Sequence, residues 1–162
     1  MSFGSMVKGL ASSQVRFVRR TGTVGEWVLA ASPSLFTITG GAIRVVVFYG
    51  KVTAVFDATA TTLQPRITPV AGAAAIQVLS NASGSLANAA INTTIVPTGV
   101  IAGACTVEIT FGVTVGNMVT NQWVLLPGVI DALVGTGTNL TGAMDFCMGY
   151  IPLEPGSNVA PA

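Results

Sequence analysis

The chain contains no histidine. A Ser-His-Asp triad, a Cys-His dyad and a histidine-held metal are therefore out of reach. What remains for acid–base chemistry is six carboxylates: Glu26, Asp57, Glu108, Asp131, Asp145 and Glu154. No two lie closer than nine residues, so no local acid pair is written into the chain. Two distant carboxylates can converge to cleave a glycoside, but sugar clefts also use aromatic platforms, and aromatics are 7% of this sequence. The run Gly135-Thr-Gly137-Thr-Asn-Leu-Thr-Gly142 has the look of a phosphate loop without its chemistry. It lacks both the GxGxxG spacing and the GK[ST] ending, and reads as a turn or loop. Cys105 and Cys147 stand alone, with no CxxC pair, and read as buried free thiols. The expectation is a protein that is not an enzyme and holds no cofactor or metal.

Three of the seven basic residues, Arg16, Arg19 and Arg20, fall within five positions. Such a cluster can meet an acidic protein surface, meet a phosphate backbone, or simply mark a solvated strand end. A net charge of +1 argues against nucleic acid as the main partner. The wider feature is how little charge there is. Charged residues are 8% of the chain, against about 25% in an ordinary soluble domain. From Ile67 to Val107 there is none at all. Weak charge gives weak colloidal repulsion, so the surface is expected to be covered in use, by sister copies or by a larger assembly.

The elements that carry these residues read as β throughout. Val, Ala, Gly and Thr supply half of the 162 residues. Leu, Glu and Lys are scarce, and Gly and Pro punctuate at short intervals. Strands are expected near Gln14–Arg19, Glu26–Ala30, Leu35–Thr39, Ala42–Phe56, Leu63–Thr68, Ala74–Leu79, Cys105–Val115, Gln122–Leu126, Val129–Val134 and Asp145–Pro152. The run from Ala42 to Phe56 is apolar on both faces, which predicts a central strand covered on both sides. Gly50 within it predicts a bulge or bend. Turns are expected at Thr39-Gly40-Gly41, Val115-Gly116-Asn117, Pro127-Gly128 and Pro155-Gly156. Only Asn81–Ala90 admits a short helix.

The fold class that follows is all-β: an antiparallel β-sandwich or jelly-roll-like barrel. One domain spans residues 14–152. Residues 1–13 and 153–162 read as extended N- and C-terminal arms, floppy alone and able to lie on a neighbour. On that reading Pro155 and Val159 join Arg16, Arg19 and Arg20 as candidate partner-binding residues. No spanning helix is expected, because the long uncharged stretch is rich in Asn, Ser, Thr and Pro rather than Leu. The first ten residues do not read as a secretory signal, and no membrane is expected as a partner.

Two blocks carry a resemblance. Leu35-Phe-Thr-Ile-Thr-Gly-Gly-Ala-Ile-Arg-Val-Val-Val-Phe-Tyr-Gly-Lys-Val-Thr is similar to a segment of small virion proteins of tailed bacteriophages. So are Trp123-Val-Leu-Leu-Pro-Gly-Val-Ile-Asp and the stretch from Gly142 through Tyr150-Ile-Pro-Leu to Val159. The resemblance covers about a third of the chain, and the stretch from Ala71 to Ala104 departs from it. It implies a structural role on the outer surface of a phage head, as a capsid decoration (cement) protein bound to the major capsid protein. A tail or fibre-base component that binds a host glycan or protein is the next possibility, with Thr136–Thr141 as its site. It brings no catalytic residues. Closed assembly as a homotrimer would bury apolar faces.

Overall fold

The computed structural model describes residues 14–70, 76–97, 106–108 and 123–162, with the side chains of 106–108 left aside. These residues form eleven strands. In chain order they are β1 (Arg16–Arg20), β2 (Ser34–Thr39), β3 (Ile43–Ala54), β4 (Thr62–Pro69), β5 (Gln77–Val78), β6 (Thr94–Val96), β7 (Thr106–Glu108), β8 (Val124–Leu125), β9 (Gly128–Gly135), β10 (Ala143–Pro152) and β11 (Asn158–Pro161). There is no helix among the described residues. The strands make two antiparallel sheets packed face to face, the expected sandwich. One sheet runs β1-β10-β3-β6-β7, with β8 also on β3; the other runs β11-β2-β9-β4-β5.

Period-two patterning builds the core. In β4, Leu63, Pro65 and Ile67 turn inward, and in β9 Ile130, Ala132 and Val134 do the same. They meet Val45, Phe48 and Val52 of β3 and Met144, Phe146 and Met148 of β10 in one cluster. Phe48 is its hub. Its ring lies 6.1 Å from Phe36, 5.7 Å from Trp123 and 6.1 Å from Phe146, centroid to centroid. Each fully buried side chain of this size contributes about 1.5–3 kcal/mol, so a chain poor in aromatics concentrates them where they stabilise most.

Several expectations change. Gly50 is no bulge. β3 runs unbroken through it, and the register slips at two other places: Val46 has no partner between the pairs Val45↔Tyr150 and Val47↔Gly149, and Thr53 has none between Val52↔Met144 and Ala54↔Ala143. Gly50 instead makes room, since a Cβ there would lie 2.7 Å from Met144 Sδ and 2.9 Å from Phe146 Cε1. β3 is central, between β10 and the pair β6/β8, yet only one of its faces is covered. Arg44, Lys51 and Thr53 are exposed on it, and Val46, Val47 and Tyr49 are half-buried. Asn81–Ala90 is an irregular strap rather than a helix. Its N–H groups donate outward, from Ser83 to the Leu63 carbonyl, Leu86 to Thr61 and Asn88 to Asp57. Around Trp27 there is a single bridge to Asn139 rather than a strand over Glu26–Ala30.

The largest correction is at the C-terminus. Residues 153–162 are no arm. The turn at Pro155-Gly156 uses a positive φ of 86° at Gly156, a conformation glycine adopts without a Cβ clash. The chain then returns as β11 along β2, pairing Asn158↔Thr39 through Pro161↔Phe36. Val159 enters the core, and its N–H donates to the Tyr150 hydroxyl at 3.2 Å. Apolar burial and a free β2 edge outweigh the freedom of a short tail. The N-terminal arm expected over 1–13, Cys105, the turn at Val115-Gly116-Asn117, the first two residues of the strand predicted over Ala74–Leu79 and most of that over Cys105–Val115 lie outside the described residues; of the former, Gln77–Val78 forms β5.

Candidate interaction surface

β1 is the outer strand of its sheet, and its register with β10 sorts the arginine cluster. Phe17↔Gly149 and Arg19↔Cys147 fall on the sheet's outward face. Arg16, Val18 and Arg20 alternate to the other side, where Val18 packs against the core. Arg20 makes a two-pronged ion pair with Glu26, and both side chains are 12% exposed. Burial lowers the Arg20 guanidinium below its ordinary value, against the raising charge of Asp145. Arg19 pairs with Asp145, whose hydrogen bond and then whose charge raise the guanidinium above its ordinary value. Two of the three arginines are therefore neutralised within the chain. Arg16 is exposed with no ion-pair partner among the described residues. Pro155 is exposed on its turn, whereas Val159 is 6% exposed and committed to the core. The five predicted residues do not form one site.

The outward face of the six-stranded sheet forms a different constellation. Directly paired residues share a face, so the register lays out four rows. The first is Val124, Arg44 and Ile151; the second Val47, Gly149 and Phe17; the third Tyr49, Cys147 and Arg19; the fourth Thr94, Lys51 and Asp145. Phe17 is 73% exposed and Val124 60%. The Phe17 ring lies over Gly149, where a Cβ would sit 2.9 Å from its Cε1 and 3.3 Å from Val47 Cβ. Of the nine described aromatic residues, only Phe17 and Tyr49 escape burial, and both are on this face. Tyr49 lies directly across from Cys147, and interaction with that thiol, then burial, raises the phenol above its ordinary 10.0. Cys147 is a free thiol, half-buried rather than fully buried as expected.

Arg44 and Lys51 close the two ends of this apolar field. Both are exposed and neither has an ion-pair partner among the described residues. The described carboxylates whose side chains are seen are all engaged, including Asp145 directly across from Lys51. Glu26, Asp145 and Asp131 hold arginines. Asp57 accepts from Asn139 Nδ2 and the Thr59 N–H, both at 2.8 Å. Glu154 accepts from the Ala42 N–H. Sequence reading missed Arg44 and Lys51 because they are seven positions apart. An odd separation puts two residues of a regular strand on opposite faces. The single extra residue at Val46 reverses that parity and brings them together.

The loop Gly135–Gly142 is spent internally. Asn139 is fully buried, and its Oδ1 accepts from the N–H groups of Thr141 and Gly142 at 3.3 and 2.9 Å. Thr138 Oγ1 accepts from the Leu29 N–H, and Thr136 Oγ1 donates to the Ala60 carbonyl. These groups cap one end of the sandwich. Among the described residues, no group of three or more Cys, Asp or Glu gathers to hold a metal. Comparison with known proteins finds no match among family models, curated proteins or solved structures.

Proposed function

We propose that this protein is a structural component of a phage virion, a decoration protein that attaches to the outer surface of the head and stabilises it by bridging neighbouring subunits. The virion assignment rests on the resemblance of segments 35–53, 123–131 and 142–159 to small phage virion proteins. The observation that carries attachment is the outward face of the six-stranded sheet: exposed Phe17 and Val124 with Arg44 and Lys51, which have no ion-pair partner among the described residues, on a chain whose other described charges are closed internally or exposed singly. Apolar side chains gathered in adjacent rows of one face, rather than scattered singly, mark an interaction site. Many weak contacts suffice for the role, because copies bound to one lattice act together. Association as a closed trimer belongs to the same proposal.

The test is localisation on purified particles by labelled antibody and image reconstruction. Density repeated over the whole head is the expected result. Signal at the tail or at one vertex would replace decoration with a tail role, and absence from particles would remove the virion reading altogether. Sedimentation of the free protein checks the trimer, with a monomer at all concentrations counting against it.

A further inference from the structure

We propose that the outward face of the six-stranded sheet is the attachment surface itself, and that its occupant is a different protein whose apolar patch is flanked by two carboxylates roughly 20 Å apart, the span of seven strand residues between Arg44 and Lys51. This deepens the virion reading and rests on it for the identity of the partner, though not for the face. Three observations select the occupant. The centre of the face is apolar, with Phe17, Val47, Ile151 and Val124 in adjacent rows. Its ends carry excess positive charge: among the described residues Arg44 has no ion-pair partner, and the Asp145 across from Lys51 is already bonded to Arg19. Covering an unpaired cation without a carboxylate costs several kcal/mol, so whatever docks here must bring acid.

A second copy does not fit. A two-fold contact of this face with itself sets Arg44 and Lys51 against Arg44 and Lys51, and like charges across an interface are repulsive. Nor does the chain offer spare acid elsewhere, since its described carboxylates are committed to arginines, Asn139 or backbone N–H groups. A nucleic acid fits poorly too. Two isolated cations neutralise few phosphates, and the field between them is apolar.

Two experiments separate the face from the virion reading. In the first, the whole protein is run on a resin bearing alkyl chains and carboxylates. Arg44→Ser/Lys51→Ser should elute at clearly lower salt than wild type. Thr39→Glu/Thr68→Glu, an equal change of net charge on the opposite sheet, should shift little. Equal shifts for both pairs would overturn the face without touching the virion reading. In the second, a photo-crosslinking residue replaces Val124 or Thr68, and each variant is taken into particles. Crosslinks from position 124 to another virion protein, with about a tenfold drop in occupancy for Arg44→Ser/Lys51→Ser at physiological salt, are the expected outcome. Crosslinks from 124 to a second copy, or from 68 only, would overturn the proposed occupant or face. Failure of wild type to enter any particle would overturn the virion reading, leaving the resin to decide the face. Circular dichroism of each variant guards against misfolding.

Discussion

The two outward faces of the sandwich treat charge in opposite ways. On the five-stranded sheet, Arg66 of β4 lies directly across from Asp131 of β9, bonds it at 2.9 Å and reaches Ser32 Oγ at 2.7 Å. Both side chains are largely covered, at 14% and 10% exposure. Around them stand Thr62, Gln64, Thr68 and Thr37, uncharged and polar. On the six-stranded sheet the central rows are largely apolar, two aromatics are exposed or half-exposed, and among the described residues the cations at the ends have no ion-pair partner. The first face is complete in itself; the second has unused valence. A surface inventory that counts residues misses this, because Arg66 and Arg44 are the same residue type in similar strands. What differs is what the neighbouring strands supply in register: Arg66 has Asp131 to itself, Arg44 has Ile151 and Val124, and Lys51 has an Asp145 already bonded to Arg19.

The contrast can be broken most severely at the edge that completes the five-stranded sheet. Deleting residues 157–162 removes β11, its Val159 burial and the partners of the Tyr150 hydroxyl. The expected loss is about 3–4 kcal/mol, adding a buried valine to one or two hydrogen bonds, read as a fall in urea midpoint. An unchanged midpoint would return these residues to the status of an arm. Next comes a direct comparison of the faces. Asp131→Ala strands a covered guanidinium and should cost about 2–3 kcal/mol, whereas Arg44→Ser/Lys51→Ser should stay within about 0.5 kcal/mol. Similar losses from both would mean that the six-stranded face is as internally closed as the other.

The smallest effect tests the middle of the open face. Tyr49 holds its proton more tightly in the folded protein than its ordinary 10.0 because of Cys147 and burial. Its contribution is therefore complete below pH 10 and lost as pH rises through the raised value. Tyr49→Phe should flatten the decline in urea midpoint above pH 10. The same decline in both proteins would assign alkaline sensitivity to other groups.

Much of the sandwich was legible because period two is a local signal. Leu63–Thr68 alternates in the sequence as it does in β4, the apolar run Val129–Val134 falls on β9, and the Gly-containing turns at 39–41 and 155–156 fall where the chain reverses. The strap over 81–93 was not legible. Its conformation depends on carbonyls of Asp57, Thr61 and Leu63 that accept its N–H groups, and no property of its own residues announces them. The arginine cluster was visible, but proximity in sequence said nothing of Glu26 and Asp145, which neutralise two of its members. Val159 read as part of a loose tail because a short segment cannot reveal the open strand edge waiting for it.

Composition and alternation alone thus determined an all-β, charge-poor sandwich with a core built from few aromatics, since burial period and residue type are properties of each segment. The pairing of cations with acids, the incorporation of β11 and the common side of Arg44 and Lys51 were decided only by the fold. Each depends on register between strands far apart in the chain, and for the last pair on one unpaired residue, Val46, that inverts which way the side chains of β3 from Val47 to Val52 point.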